Sequence, residues 1–170
     1  MRIGVISDTH IAAGRDGQAG RRVVPPAVFR AFLDVDLILH AGDIAHQGVL
    51  DDLAALAPVH AVQGNVDPLE LARSLPERLA LDLDGARVGL THGHLGRGRS
   101  TPERARGQFV GDDGLAAVVF GHSHEPCNHF EDGALLFNPG SPTERRRQPR
   151  PSYGLLTIEN GAVRGEIVYL

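Results

Sequence analysis

Five short apolar runs in this chain each deliver an aspartate, asparagine or histidine at their carboxyl end, and that repetition constrains the fold more than any other feature. Arg2-Ile3-Gly4-Val5-Ile6-Ser7 runs into Asp8-Thr9-His10, and Leu37-Ile38-Leu39-His40 runs into Ala41-Gly42-Asp43. Val59-His60-Ala61-Val62 leads to Gly64-Asn65-Val66-Asp67, and Val88-Gly89-Leu90-Thr91 leads to His92-Gly93-His94. Ala116-Ala117-Val118-Val119-Phe120 leads to Gly121-His122-Ser123-His124. Runs this short and rich in β-branched residues read as buried strands rather than helices. Sites in open α/β sheets form outside the carboxyl ends of the strands, so these deliveries can converge on one cleft. Histidines two positions apart point to one face of an extended segment, which lets His122 and His124 address a single site, and Gly121 also permits a turn.

The remaining pattern supplies the connections. Pro25-Pro26 introduces a helix over Ala27 to Leu33 with an apolar face of Val28, Phe29, Phe32 and Leu33. A second helix is expected over Val49 to Leu56, ahead of Pro58, and a shorter one after Pro68. Strand, helix, strand, helix, strand is the signal of right-handed βαβ crossovers. Later the character changes. Leu79 to Asp82 and Ala86 to Leu90 flank Asp84-Gly85 as a hairpin, and Tyr153 to Ile158 and Ala162 to Tyr169 flank Asn160-Gly161 as another. Ser100 and Pro102 open a helix reaching about Phe109, and strands follow at Ala116 to Phe120 and Leu135 to Phe137. A crossover-rich first half and a hairpin-rich second half imply an α/β fold of two packed sheets, at least one of them mixed, flanked by helices within a single domain over 1–170.

Composition narrows the setting. A chain of 170 residues suits one domain with a sizeable core. No apolar run approaches the roughly 20 residues of a membrane span, and Met1 leads directly into a strand rather than a signal peptide. Cys127 is the only cysteine, so no internal disulfide is expected, which fits a reducing cytoplasm. A formal charge of −4 offers no general field for nucleic acid, and no aromatic series accompanies the arginines, so extended DNA or RNA is disfavoured as a partner. The sequence leaves a homo-oligomer open.

The chemical inventory is Asp8, His10, Asp43, Asn65, His92, His122 and His124. Alone, each has an ordinary reading as a loop acid, a cap, a turn former or a surface histidine. Nitrogen and oxygen donors without cysteine suit manganese, iron, nickel, cobalt or zinc rather than a structural zinc-thiolate site. Seven donors exceed one tetrahedral ion but suit two divalent ions sharing a carboxylate. Asp43 is a sensible bridge, because its two oxygens can serve both ions.

The ordered set Asp8-Thr9-His10, Gly42-Asp43, Gly64-Asn65, His92 and Gly121-His122-Ser123-His124 resembles the calcineurin-like metallophosphoesterase family, in particular its small single-domain phosphodiesterase branch. The resemblance spans nearly the whole chain. It implies an αββα sandwich, with Asp8, His10 and His124 around one metal, Asn65, His92 and His122 around the other, and Asp43 between them. It further implies a hydrolase, manganese the first candidate metal, whose bridging hydroxide attacks a small phosphodiester in line, with Asn65 helping to stabilise the charge. A phosphomonoesterase, or an interaction scaffold such as a retromer subunit of that family, is the alternative.

One position departs from many members of the family it resembles. A histidine often follows the metal-binding asparagine and aids phosphate binding or leaving-group protonation, whereas this chain has Val66. His94, just beyond His92, is the candidate to compensate. His40 reads as a core histidine, and His46, His60 and His129 as surface or support residues. Asn128 and Asn138 could line the entrance, although Asn138-Pro139-Gly140-Ser141 reads more readily as a turn, and Cys127 has no partner for catalysis. Arg97, Arg99, Arg104 and Arg106, with Arg145-Arg146-Arg147 and Arg150, form a solubilising surface from which some guanidinium groups could anchor phosphate. The segment Ile11 to Arg22, with Gly14, Gly17 and Gly20, reads as a flexible loop beside the site.

Overall fold

Two five-stranded sheets pack face to face in the computed structural model, which describes residues 1–11 and 23–170. The Gly14 to Gly20 loop expectation falls outside the described residues. In chain order the elements are β1 (Arg2–Ile6), α1 (Pro26–Ala31), β2 (Leu37–His40), α2 (Gln47–Ala54), β3 (Val59–Ala61), α3 (Leu69–Ser74), β4 (Arg78–Leu83) and β5 (Ala86–Thr91). They continue with α4 (Thr101–Gly107), β6 (Leu115–Val119), β7 (Cys127–Glu131), β8 (Ala134–Asn138), β9 (Ser152–Glu159) and β10 (Ala162–Tyr169). The first sheet runs β10-β9-β1-β2-β3 and the second β4-β5-β6-β8-β7. Both are mixed. β1, β2 and β3 pair in parallel while β9 joins β1 antiparallel, and β5, β6 and β8 are parallel between antiparallel edges β4 and β7.

Alternation along the strands builds the layers. Ile3 and Val5 of β1, with Leu37, Leu39 and Leu156, face Val88, Leu90, Val119 and Phe137 of the other sheet in a buried core. Ile6 and Ile38 point the opposite way, against Val28, Phe32, Val49 and Leu53 from the segments containing α1 and α2. On the outer face of the second sheet, Ala105 and Phe109 cover Val118, Phe120 and Leu136. Gly4 lets the helix layer come close, since a Cβ there would stand 2.8 Å from the Phe32 ring. No described helix is long and apolar enough to cross a membrane.

The two expected hairpins are present with positive φ at both turn residues, Asp84 and Gly85 in one and Asn160 and Gly161 in the other, as a tight hairpin turn requires. Sequence reasoning missed β7. Its residues Asn128 to Glu131 are all exposed, so the strand carries no apolar alternation, yet Asp132-Gly133 repeats the positive-φ turn signature and marks a third hairpin. The helices also end earlier than expected: α1 closes at Ala31 and α4 at Gly107, each followed by capping bonds from the next residue's N–H.

Candidate metal centre

All five strand-end deliveries lie at one end of the sandwich, and hydrogen bonds tie their loops together. Behind β1, Asp8 N–H donates to Gly42 O and His10 N–H to Asp43 O, so the first two loops run side by side. Asp8, His10 and Asp43 all take positive φ. Glycine is demanded where the loops converge. A Cβ on Gly64 would sit 2.1 Å from Asp43 Oδ1, and one on Gly121 would sit 1.9 Å from Ser7 Oγ and 2.6 Å from Asp8 Oδ2.

Asp8 is fully buried. Its Oδ2 accepts from Ser7 Oγ at 2.7 Å and from the His122 N–H at 3.0 Å, while Oδ1 has no hydrogen-bond partner. That orphaned oxygen faces imidazole nitrogens, with His124 Nε2 at 3.2 Å and His10 Nε2 at 3.8 Å. Burial alone would raise the Asp8 pKa, but His10 and His124, with the charge of His92, hold it far below the usual carboxylate range. Asp43 follows the same logic: burial opposes ionisation, and contact with His92 outweighs it. Asp43 Oδ1 accepts from Val66 N–H at 3.0 Å. Its Oδ2 lies 3.2 Å from His92 Nε2 and 3.7 Å from His10 Nε2.

Proton bookkeeping on the histidines marks where a cation would sit. His92 Nδ1 lies 2.7 Å from Ala41 O, and a carbonyl can only accept, so Nδ1 carries the hydrogen. In the neutral ring the Nε2 lone pair then faces Asp43 Oδ2 and Asn65 Oδ1, the latter also at 3.2 Å. Acceptors facing acceptors repel unless a proton or a metal ion sits among them. With protein atoms alone, a proton fills that role: burial pushes the His92 pKa down, but Asp43 and Asp8 raise it above the ordinary value. His124 repeats the arrangement, with Nδ1 on Glu144 O and Nε2 only 3.0 Å from His10 Nε2. One donor atom each from Asp8, His10 and His124 lie within 4.8 Å of one another, as do those of Asp8, Asp43 and His92. The residues therefore fit divalent cations: an orphaned carboxylate oxygen, inward lone pairs and a donor set of nitrogen and oxygen.

His122 and His124 take the turn rather than the extended alternative. Both have positive φ, 68° and 58°, and their rings diverge. His122 Nδ1 reaches Asn65 Oδ1 at 2.9 Å, while His124 goes to Asp8 and His10. Burial and then the charge of His92 pull the His122 pKa down to about 4. His94 closes this half, its ring centroid 5.2 Å from His92 and 6.2 Å from His122, with a buried Nδ1 lacking a partner. Its pKa is lowered by burial and by the same His92 charge.

Other residues fall where their chemistry directs. His40 is buried, with Nε2 3.2 Å from Thr9 Oγ1, as a core histidine should be. His46 caps α2 by accepting from Gly48 N–H, and His60 and His129 are exposed on strands. Cys127 turns its thiol toward Leu136 O. Asn128 reaches Gly165 O across to β10, a sheet-closing role rather than an entrance. Sequence reasoning undervalued the 138–144 loop. Asn138 is buried, donating to Gly121 O and Ser123 Oγ and accepting from Gly140 N–H. Ser141 Oγ donates to Asp8 O and Thr143 Oγ1 to Thr9 O, so this loop clamps the base of the β1 loop. A turn-like Asn-Pro-Gly-Ser following a strand was the available signal.

With this geometry in place, the chain matches the calcineurin-like phosphoesterase superfamily domain over residues 1–161, and it belongs to that family. A probable metallophosphoesterase of Methanothermobacter thermautotrophicus is 41% identical over 99% of this chain and 92% of its own length. A phosphodiesterase of Methanocaldococcus jannaschii is 26% identical over 82% of this chain and 83% of its own. In fold, the chain is similar to Vps29 from Entamoeba histolytica, crystallised with zinc, at a TM-score of 0.77 and 24% identity over 99% of both chains. The protein is thus a member of a metal-dependent hydrolase family that carries candidate metal-binding residues.

Proposed function

We propose that one domain spanning the chain acts as a dinuclear-metal phosphodiesterase on small organic diesters. Asp8, His10 and His124 would hold one divalent ion and Asn65, His92 and His122 the other, with Asp43 available to both. The observation that carries this reading is the run of donors that clusters as Asp8, His10 and His124 and continues through Asp8, Asp43 and His92, with Asp8 Oδ1 lacking a hydrogen-bond partner among the described residues. The phosphodiesterase named among the relatives supports the diester class.

Divalent ions bound there would supply an activated water as nucleophile and would neutralise charge on the phosphoryl oxygens. The side chains do the rest. Ala41 O and Glu144 O fix the tautomers of His92 and His124, keeping both Nε2 lone pairs inward. Asn65 presents Oδ1 to the two histidines, which leaves its amide N–H groups for a phosphoryl oxygen. His94 faces the same cleft. A ring with a lowered pKa is a poor proton store at pH 7, so His94 serves as a neutral hydrogen-bond donor to phosphate. Val66 offers no proton, which favours esters with good leaving groups.

Manganese is the first metal to try, then nickel, iron, cobalt and zinc. Strip the protein of metal, add each ion back, and follow bis-p-nitrophenyl phosphate and p-nitrophenyl phosphate. Turnover of the diester above the monoester supports the reading; a folded, metal-loaded sample inert to both overturns it. The fold likeness to Vps29 supports a rival, an interaction scaffold, but the intact donor set favours an enzyme.

A further inference from the structure

Two adjoining hollows flank the candidate centre and share Ser123 and Glu125, the residues on either side of His124. One, of about 490 Å3, is bordered by Arg99 and Arg104; the other, of about 380 Å3, by Arg146 and Arg147. Two of these arginines are anchored to the backbone of the site itself. Arg104 Nε donates to the carbonyl of Gly93, between His92 and His94, and Arg146 Nη1 donates to the carbonyl of His122, each at 3.2 Å. Arg104 Nη2 also donates to Thr101 Oγ1, and among the described residues no other side-chain acceptor takes the remaining N–H groups of the two guanidinium forks.

Among the described residues their charge has no carboxylate partner. Elsewhere Arg78 pairs with Asp112, Arg87 with Asp82 and Asp112, and Arg106 with Glu131 and Asp132. Among the described residues, no carboxylate forms an ion pair with Arg104, Arg146 or Arg147. Among the described residues Glu125 is the one acid bordering the hollows, and Glu103 engages the backbone N–H of Arg99. A protein of net charge −4 has acids enough to pair these groups, yet none of its described acids pairs with them.

We propose that these hollows hold a second phosphate of the substrate, so that the preferred class is a small diester bearing a further phosphomonoester group, gripped by Arg104 and Arg146 with Arg147 alongside. This rests on the hydrolase reading above for which bond is cut, but not for the anion grip. A guanidinium fork matches two phosphate oxygens at once. The hollows suit a nucleotide-sized group, and the absence of an aromatic series argues against a long strand.

The test uses a matched pair: thymidine 5′-(p-nitrophenyl phosphate) with and without a 3′-phosphate, on the manganese-loaded protein. The phosphorylated substrate should have a kcat/KM about tenfold or more higher, carried mainly by KM and shrinking with added salt. In the Arg104→Gln/Arg146→Gln double variant that ratio should fall toward one. The Arg147 side chain bonds no backbone group among the described residues, so Arg147→Glu should lower the ratio with the fold undisturbed. A ratio of one in the unaltered protein, or a ratio that survives both variants, overturns the proposal while leaving the hydrolase reading standing. Calorimetric binding of thymidine 3′,5′-bisphosphate against thymidine 5′-monophosphate repeats the comparison without chemistry. A bisphosphate preference that needs the arginines, with no turnover of either ester, would retain the anion grip and sink the hydrolase reading; equal binding would sink the grip.

Discussion

Asp43 and Asp67 each hold the other's loop. Asp43 Oδ1 accepts the N–H of Val66, while Asp67 Oδ1 accepts the N–H groups of Ile44 and Ala45 and its Oδ2 that of Gly64, all three at 2.7 Å. This reciprocal bonding locks the loop after β2 to the loop after β3, and it sets Asp43 Oδ2 and Asn65 beside His92.

Asp67 is therefore a positioning residue whose loss should be felt at the metal. Asp67→Ala strips three N–H groups of an ionised acceptor, and each such bond is worth about 1.5–3 kcal/mol. We expect destabilisation of about 2–4 kcal/mol in urea, since water recovers part of the loss, and manganese affinity weakened by about 10- to 100-fold. Asp67→Asn keeps one acceptor oxygen and should fall between. Wild-type manganese affinity in a folded Asp67→Ala protein would contradict the role.

Asp43→Asn tests the shared position directly. Replacing the carboxylate with a neutral amide removes its negative charge and one ligand oxygen, and should reduce metal-dependent turnover by more than about 100-fold and remove most of the thermal shift that manganese gives the wild-type protein. A scaffold acting through a distant surface would keep its partner binding in this variant. Equal phosphodiesterase activity in the two proteins would refute the proposed bridge.

Much of this was legible because chemistry and fold coincide at strand ends. Gly42-Asp43, Gly64-Asn65 and Gly121-His122 announce themselves: a polar donor must leave a buried strand, and the residue before it must be small enough for loops to meet. What stayed hidden was the support. Asp67, Asn138 and Ser141 act through hydrogen bonds to backbone groups that are distant in sequence, and no local periodicity reports such bonds. β7 was hidden for another reason: an exposed edge strand buries nothing and so lacks the alternation that betrays its neighbours. The diverging rings of His122 and His124 depend on two positive-φ residues, which spacing alone does not reveal.

Buried histidines predict how the metal-free protein responds to acid. Burial pushes the His40 pKa down to about 3, against 6.5 for the free group. The unfolded chain then binds the proton first, so stability should fall as pH drops from about 6.5 toward 3, on the order of 4 kcal/mol over the full window. His122, lowered to about 4, adds to the same slope, while His92, raised, works against it by stabilising the fold at low pH and losing that effect as pH rises through its folded pKa. Asp8 and Asp43, with lowered pKa values, withdraw their stabilisation below about pH 4. Urea midpoints between pH 7 and 4.5 should therefore decline in the wild type and decline less in His40→Gln. Parallel slopes would show that His40 does not carry this effect.

Leaving-group chemistry separates His94 from Val66. If His94 only donates a hydrogen bond to phosphate, His94→Ala should slow aryl and alkyl diesters by similar factors; a larger loss on the alkyl ester would mark it as the acid instead. Val66 is half exposed and contributes its backbone N–H, not its side chain, to Asp43. Replacing it with histidine should therefore leave that bond and the fold intact while placing an imidazole at the cleft. A positioned acid contributes roughly 100- to 10,000-fold, and it matters most where the departing oxygen is basic. Val66→His should thus raise kcat on an alkyl diester by at least about tenfold relative to the aryl diester and add a falling limb to the alkyl pH profile as the new imidazole loses its proton. An unchanged alkyl-to-aryl ratio in a folded, metal-loaded Val66→His protein would mean that protonation of the leaving group does not limit this site.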